Sequence, residues 1–160
     1  MQGYGLMWDS ATGAIPVGAR LRALYFNGRY ASPPAYGRGR VFIDVLASAP
    51  GAASWLDVET GDATPGAVPG WLDLRGAAQA HNRGVYCNRG NLPAVIRAAA
   101  GRQFNLWLAT LDGTIPATAD LQLPSSARLV AVQAFGAAML GFNADLSVVV
   151  DRAYWDAHYA

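Results

Sequence analysis

The stretch Trp55–Thr60, WLDVET, decides how this chain reads. A short run of aromatic and β-branched residues ending in polar ones is the pattern of a strand. In a strand, residues i and i+2 share a face about 6.6 Å apart. Asp57 and Glu59 therefore project together from the strand's C-terminal end. Glu59 is also the one glutamate among eleven acidic residues.

Downstream, Pro69–Asn82 (PGWLDLRGAAQAHN) places Trp71, Leu74 and Ala78 at i, i+3 and i+7, which is helical spacing. Gly84–Cys87 (GVYC) is a second strand. A second helix follows, with Asn91 as its cap, Pro93 in its first turn, and Leu92, Val95, Ile96 and Ala99 on one face. It stops at Gly101. Phe104–Ala109 (FNLWLA) is a third strand. Strand, helix, strand, helix, strand is the order of parallel βαβ units. Tyr4–Trp8, Leu21–Phe26 and Val41–Leu46 precede this block as strands, and Leu129–Gln133 and Leu146–Val150 follow it. Asp112–Ser126, rich in Thr, Ala, Pro and Asp, reads mostly as loop. No internal repeat or linker divides the chain, so a single domain over residues 1–160 is expected.

Composition narrows the function classes. The chain has 160 residues, 52% of them hydrophobic, enough to bury a core. Only 14% are charged, and all twelve basic residues are arginine. A net charge of +1 gives no reason to expect nucleic acid or an anionic membrane as partner. Cys87 is the sole cysteine, so no internal disulfide forms. The start, MQGYGLMWDS, lacks the basic-then-apolar pattern of a secretory signal. Leu129–Phe142, the longest apolar stretch, is broken by Gln133 and two glycines and falls short of a membrane span.

The carboxylates suggest a chemistry. Glycoside hydrolysis uses two carboxyl groups with different tasks, one protonated to deliver a proton to the leaving oxygen and one ionised. Crowding carboxylates separates their pKa values. In a parallel α/β barrel such groups gather at the C-terminal ends of the strands, where Asp9 also ends its strand. D-x-E alone is a weak signal, because alternating carboxylates on a solvated strand face look the same.

The ordered set GLMWDS, WLDVET, RGVYCNRG, FNLWLATLDG and VAVQAFGAAMLGFNADLS resembles the family 25 lysozyme-type glycoside hydrolases. It looks closer still to their relatives, the glycoside-hydrolase-like domains of actinobacterial secreted proteins and phage lysins. The resemblance spans nearly the whole chain and is carried by the order of the motifs. It implies a compact, partly trimmed TIM-type (β/α) barrel, since such barrels usually exceed about 200 residues. It makes Glu59 the general acid and Asp57 its partner, with Asp9 and Asp145 completing an acidic floor. Trp8, Tyr86, Trp107 and Gln133 match positions lining the family's sugar groove. The chain departs at Ser147, where the family commonly has Asn, and in the short segment between Asp9 and Asp57.

Other residues are weighed in the same way. Asp44 is either a fifth groove acid or a backbone-bonded strand residue. Cys87 reads as a buried inert thiol rather than a nucleophile. With His81, His158 and no CxxC pair, structural zinc has no ligand set. Arg38 and Arg40 in GRGR lack the phosphate-cradling pattern and read as a solvated turn. The aromatic tail Tyr154, Trp155 and Tyr159 docks either on its own domain or on another subunit. The expectation is a muramidase-like hydrolase of peptidoglycan glycan strands, phage-encoded, with no metal or organic cofactor. It would be made in the host cytoplasm or carried in the virion, and would act on the bacterial cell wall. The second expectation is an inactive barrel serving as a virion decoration, tail or cell-wall-binding module that contacts other virion proteins.

Overall fold

A computed structural model describes residues 3–12, 14–31, 40–45, 47, 53–75 and 83–159, with only the backbone of Arg40, Asp44 and Tyr159. Eight strands close into a barrel in chain order. They are β1 (Gly5–Asp9), β2 (Leu21–Tyr25), β3 (Arg40–Asp44), β4 (Trp55–Val58), β5 (Gly84–Asn88), β6 (Phe104–Ala109), β7 (Ala127–Phe135) and β8 (Asp145–Val149). From β1 to β7 every neighbour is parallel. The last strand, β8, runs antiparallel to both β7 and β1.

Helices are few: α1 (Val68–Arg75), α2 (Leu92–Ala99), α3 (Ala137–Leu140) and α4 (Arg152–Tyr159), with 3-10 turns at Gly28–Tyr30, Pro65–Ala67 and Thr118–Leu121. Among the described residues the β1–β2 connection carries no helix, and the helices are too few to make the outer ring of a TIM-type (β/α) barrel. The molecule is a closed eight-stranded barrel of mixed α/β character.

Strand alternation sorts side chains into two cores. Inward-facing Met7, Ile43, Trp55, Tyr86, Trp107 and Val149 belong to the interior cluster. Outward-facing Leu56, Val58, Val85, Cys87, Leu106 and Leu108 pack beneath α1 and α2. Strands β4, β5 and β6 are therefore buried on both faces, which explains their nearly continuous apolar sequence.

Inside the barrel the Trp55 and Trp107 rings meet edge to face at 5.6 Å. Gly84 makes room for Trp55, since a Cβ there would lie 2.3 Å from the indole. Because β8 is reversed, it ends beside the start of β1, with Val149 paired to Gly5. From there α4 closes the barrel end where the parallel strands begin. Tyr154 is buried in that end and accepts a 2.8 Å hydrogen bond from Trp55 Nε1. The Tyr154 part of the aromatic tail thus docks on its own barrel, and His158 stacks on it at 4.0 Å.

Two helical expectations change. On α1 the buried stripe is Val68, Trp71, Leu72 and Arg75, at i, i+3, i+4 and i+7. Leu74 is 59% exposed, and Ala78 and His81 lie outside the described residues, as do Leu46 and Arg38. Asn91 precedes α2 without a side-chain cap bond; its Nδ2 instead donates to the Val58 carbonyl at 2.9 Å. The predicted face of α2 holds, with Leu92, Val95 and Ala99 buried and Ile96 packed against them. The helix ends in left-handed Ala100 followed by Gly101.

Candidate active site

Seven parallel strands bring their C-terminal ends to one rim. Asp9 ends β1, Tyr25 ends β2, Asp57 lies in β4 with Glu59 just beyond it, and Tyr86 and Asn88 lie in β5. Asp145 begins its strand, which in an all-parallel barrel would place it at the opposite end. The reversal of β8 instead pairs Asp145 directly with Asp9. Asp9, Asp57, Glu59 and Asp145 therefore form one acidic pole, joined by Asp62 from the turn after Glu59.

Burial governs their protonation. Asp57 is 3% exposed, and its Oδ1 has no hydrogen-bond partner. That excludes the solvated-face reading of D-x-E. Removal from water, then the charges of Glu59, Asp62 and Asp9, push its carboxyl up to about 9. Asp9 is raised by burial first, then by Asp145 and Glu59. Gln133 Nε2 stands 3.4 Å from Asp9 Oδ2, and the Tyr86 hydroxyl donates to Gln133 Oε1.

Glu59 differs in kind. Burial and Asp62 raise it, whereas the polar side chains of Tyr86 and Asn88 beside it favour its ionised form. Asp145 is raised by burial but held back by the Ala137 backbone N–H, 2.5 Å from its Oδ1. Burial and these carboxylates also raise the phenols of Tyr25 and Tyr86, which stay neutral. Like charges crowded away from water cannot all ionise, so the pole retains a proton at neutral pH, on Asp57.

Glu59 is positioned by the backbone beneath it. Asn91 Nδ2 anchors the Val58 carbonyl, and the Asn91 N–H donates to Asn88 Oδ1 at 2.9 Å, which orients the Asn88 amide. The Asp57 carbonyl accepts from Ala63 N–H at 3.1 Å and the Glu59 carbonyl from Asp62 N–H at 3.2 Å. Gly61 sits at φ +95°, a conformation that glycine adopts without steric cost.

Not every expected residue reaches the pole. Trp8 is the neighbour of inward-facing Asp9 and so faces outward, its ring edge-on to Phe142 at 6.4 Å. Trp107 is fully buried, 5.0 Å from the Tyr86 ring, with its Nε1 donating to Ser147 Oγ at 2.9 Å. It supports Tyr86 and offers no face to a ligand. Tyr86 and Gln133 do lie among the carboxylates. Three contributors went unread in the sequence: Tyr25, Asn88 and Asp62. Asn88 stands two residues after Tyr86, so strand periodicity alone could have found it.

Cys87 faces the outer core, and burial pushes its thiol up to about 12, which is an unreactive setting. Asp44 ends β3, its side chain outside the described residues. Among the described residues no group of three or more His, Cys, Asp or Glu is arranged to hold a metal ion, and no helix is long and apolar enough to cross a membrane.

Fold and site together define a class: a closed eight-stranded barrel with a proton-retaining acidic pole at one rim. Comparison with protein-family models, curated proteins and solved structures gave no match to this chain.

Proposed function

We infer that this protein is a glycoside hydrolase of peptidoglycan glycan strands, built on a trimmed TIM-type (β/α) barrel, with Glu59 as its general acid. The observation that carries the reading is the unequal pair at the end of β4, in which Asp57 is buried and proton-retaining and Glu59 is half-buried beside Tyr86 and Asn88. Carboxyls with one spacing and different environments are what acid-catalysed glycoside cleavage requires.

In this reading the bond cut is a β-1,4 link next to N-acetylmuramic acid. Glu59 delivers its proton to the glycosidic oxygen as the anomeric C–O bond breaks. Asp57, neutral and with an unpartnered oxygen, accepts through that oxygen from the substrate's acetamido N–H and orients that group. Water then adds to the anomeric carbon and its proton returns to Glu59. Asp9 and Asp145 complete the acidic floor, and the negative charge that the pole retains favours the oxocarbenium-like transition state electrostatically.

The test is release of new reducing ends from purified peptidoglycan. The native chain should release them, and Glu59→Gln should lose about a hundredfold or more, the scale of a missing general acid. Absence of cleavage by folded native protein would refute the reading.

A second reading, a non-catalytic virion module, is favoured by Leu111 and Met139, which are 46% and 53% exposed. Leu111 and Asp145 flank Gly136, within 3.5 and 3.8 Å of where its Cβ would stand. An assembly contact on this apolar shelf would cover the pole. A stable multimer in solution, with the carboxylates occluded, is its expected signature.

A further inference from the structure

The acidic rim carries a cation whose N–H groups the fold leaves open. Arg29 lies in the 3-10 turn Gly28–Tyr30 after β2, and that turn is held tightly. Asn27 Oδ1 accepts from the Val45 N–H at 2.9 Å, which ties the turn to the end of β3. Gly28 sits at φ +76°, where a Cβ would fall 2.3 Å from Val45.

A stack of side chains connects this turn with the pole. Burial, then the charges of Asp9, Asp57, Asp145 and Glu59, raise the Tyr25 phenol, as its place at the C-terminal end of β2 requires. The Tyr25 ring meets Tyr30 at 5.5 Å, and the Arg29 guanidinium lies over the Tyr30 ring, 4.5 Å from its centre. Stacking occupies the flat face of a guanidinium and leaves its N–H edge available. Arg29 is exposed, and among the described residues no hydrogen bond or ion pair engages that edge. Its charge still reaches the pole, since Asp62, raised by burial, is drawn back by Arg29. Arg89, after β5 on the same rim, is already committed. Its Nη2 donates to Thr114 Oγ1 at 3.0 Å, and its Nη1 stands 3.7 Å from Asp112.

A guanidinium edge matches a carboxylate with two parallel hydrogen bonds. The pole's own carboxylates repel an anionic ligand, so one is accepted only where a cation meets its charge. We propose that Arg29 is a specificity-determining residue of the pole, and that it receives a carboxylate borne by the glycan that lies at Glu59. The proposal rests on the glycoside-hydrolase reading and names the substrate class more closely, as an acidic glycan. N-acetylmuramic acid offers the carboxylate of its lactyl ether; where a peptide stem caps that group, the stem's carboxylates are the alternative source. A glycan of N-acetylglucosamine alone has neither.

The experiment is calorimetric titration of the full chain carrying Glu59→Gln, which leaves ligands uncut. Three fragments of equal length are compared: a chito-oligosaccharide, a muramyl glycan without stems and one with them. At low salt the acidic fragments should bind about tenfold tighter than the neutral one, the worth of one charge-assisted contact. That margin should narrow as salt rises, since Arg29 is exposed. Adding Arg29→Gln should erase the margin and leave the neutral affinity unchanged, and Arg29→Lys should keep part of it. Dependence on Arg29 with the stem-free fragment identifies the lactyl carboxylate; dependence seen only with stems assigns the contact to the peptide. Circular dichroism checks that the variants fold. The proposal is overturned by equal affinities for neutral and acidic fragments, by a margin that survives Arg29→Gln, or by a loss that falls equally on the neutral fragment. Cleavage of peptidoglycan by the native chain and by Arg29→Gln with the same KM would remove Arg29 alone. An Arg29-dependent margin in a chain that never cleaves would instead remove Glu59 as acid and keep Arg29 as the reader of the carboxylate.

Discussion

Asp57→Asn should stabilise the protein at neutral and alkaline pH, although it replaces a buried residue at the centre of the site. In the folded chain the Asp57 carboxyl keeps its proton to about 9; in the unfolded chain it loses it near 4, as an ordinary aspartate does (about 3.9). Between those values the folded state binds a proton that the unfolded state has released. The unfolding free energy therefore falls as pH rises, by about 1.4 kcal/mol per pH unit for this one group. The stabilisation is complete below the unfolded value and gone above the folded one. From about pH 6 to pH 8 the loss amounts to about 2.7 kcal/mol, a large share of a typical domain's stability. Asparagine keeps the shape and cannot titrate, so the variant lacks this slope. Asp9, Glu59 and Asp145 are raised in the same direction, so part of the wild-type slope remains in the variant. Urea unfolding across about pH 5 to 9, with the midpoint converted through m, measures both slopes. Equal slopes in wild type and variant would show that Asp57 is ionised in the folded state, and the protonation argument for the pole would fail with it.

Other outcomes follow from the same packing. Tyr154→Phe leaves the Trp55 indole N–H unpaired in a dry interior and should cost about 1–3 kcal/mol, read as a lower thermal midpoint. Gly84→Ala drives a methyl into the Trp55 ring, which has a rigid neighbour in Trp107. A loss of about 1–3 kcal/mol is expected by denaturant unfolding, shrinking in a Trp55→Phe background where the two sites couple. Asn91→Ala frees the Val58 carbonyl, which leads into Glu59, and keeps the backbone N–H that holds Asn88. On peptidoglycan its kcat should fall roughly ten- to a hundredfold with KM little changed, as for a misplaced reacting group, and far-ultraviolet circular dichroism should stay native. Cys87 should resist a thiol reagent until the chain unfolds; modification of the folded protein at the rate of a free thiol would contradict its burial.

How much of this was legible depends on which physical rule a residue obeys. Strand periodicity is local, so the eight strand runs and the shared face of Asp57 and Glu59 could be read directly. The same rule contained a warning about Trp8. Consecutive strand residues point to opposite faces, so Trp8 and Asp9 cannot both enter the barrel. Depth is not local. Tyr86 and Trp107 share the inward parity and pair across β5 and β6, yet Tyr86 lies among the carboxylates and Trp107 lies beneath it. Only the closed barrel decides which is the floor. Helix coverage is also non-local: Leu72 and Leu74 are equally apolar, and the position of α1 against α2 buries one and exposes the other.

Strand direction was the furthest from view, and the site turns on it. Parallel logic places acidic residues at strand ends, and Asp145 stands at a strand start. Nothing in ADLS announces a reversed strand. The reversal becomes visible in the pairing of Asp9 with Asp145 and of Gly5 with Val149, and it does two things at once. It brings Asp145 to the acidic rim, and it delivers the chain to the far end, where α4 inserts Tyr154 under Trp55 and lays Trp155 across Gly5. The carboxylate pole and the plug that closes the barrel are thus consequences of a single antiparallel strand. A change that disturbed the β8 pairing, such as a proline at Ser147 inside the barrel, should therefore damage both together.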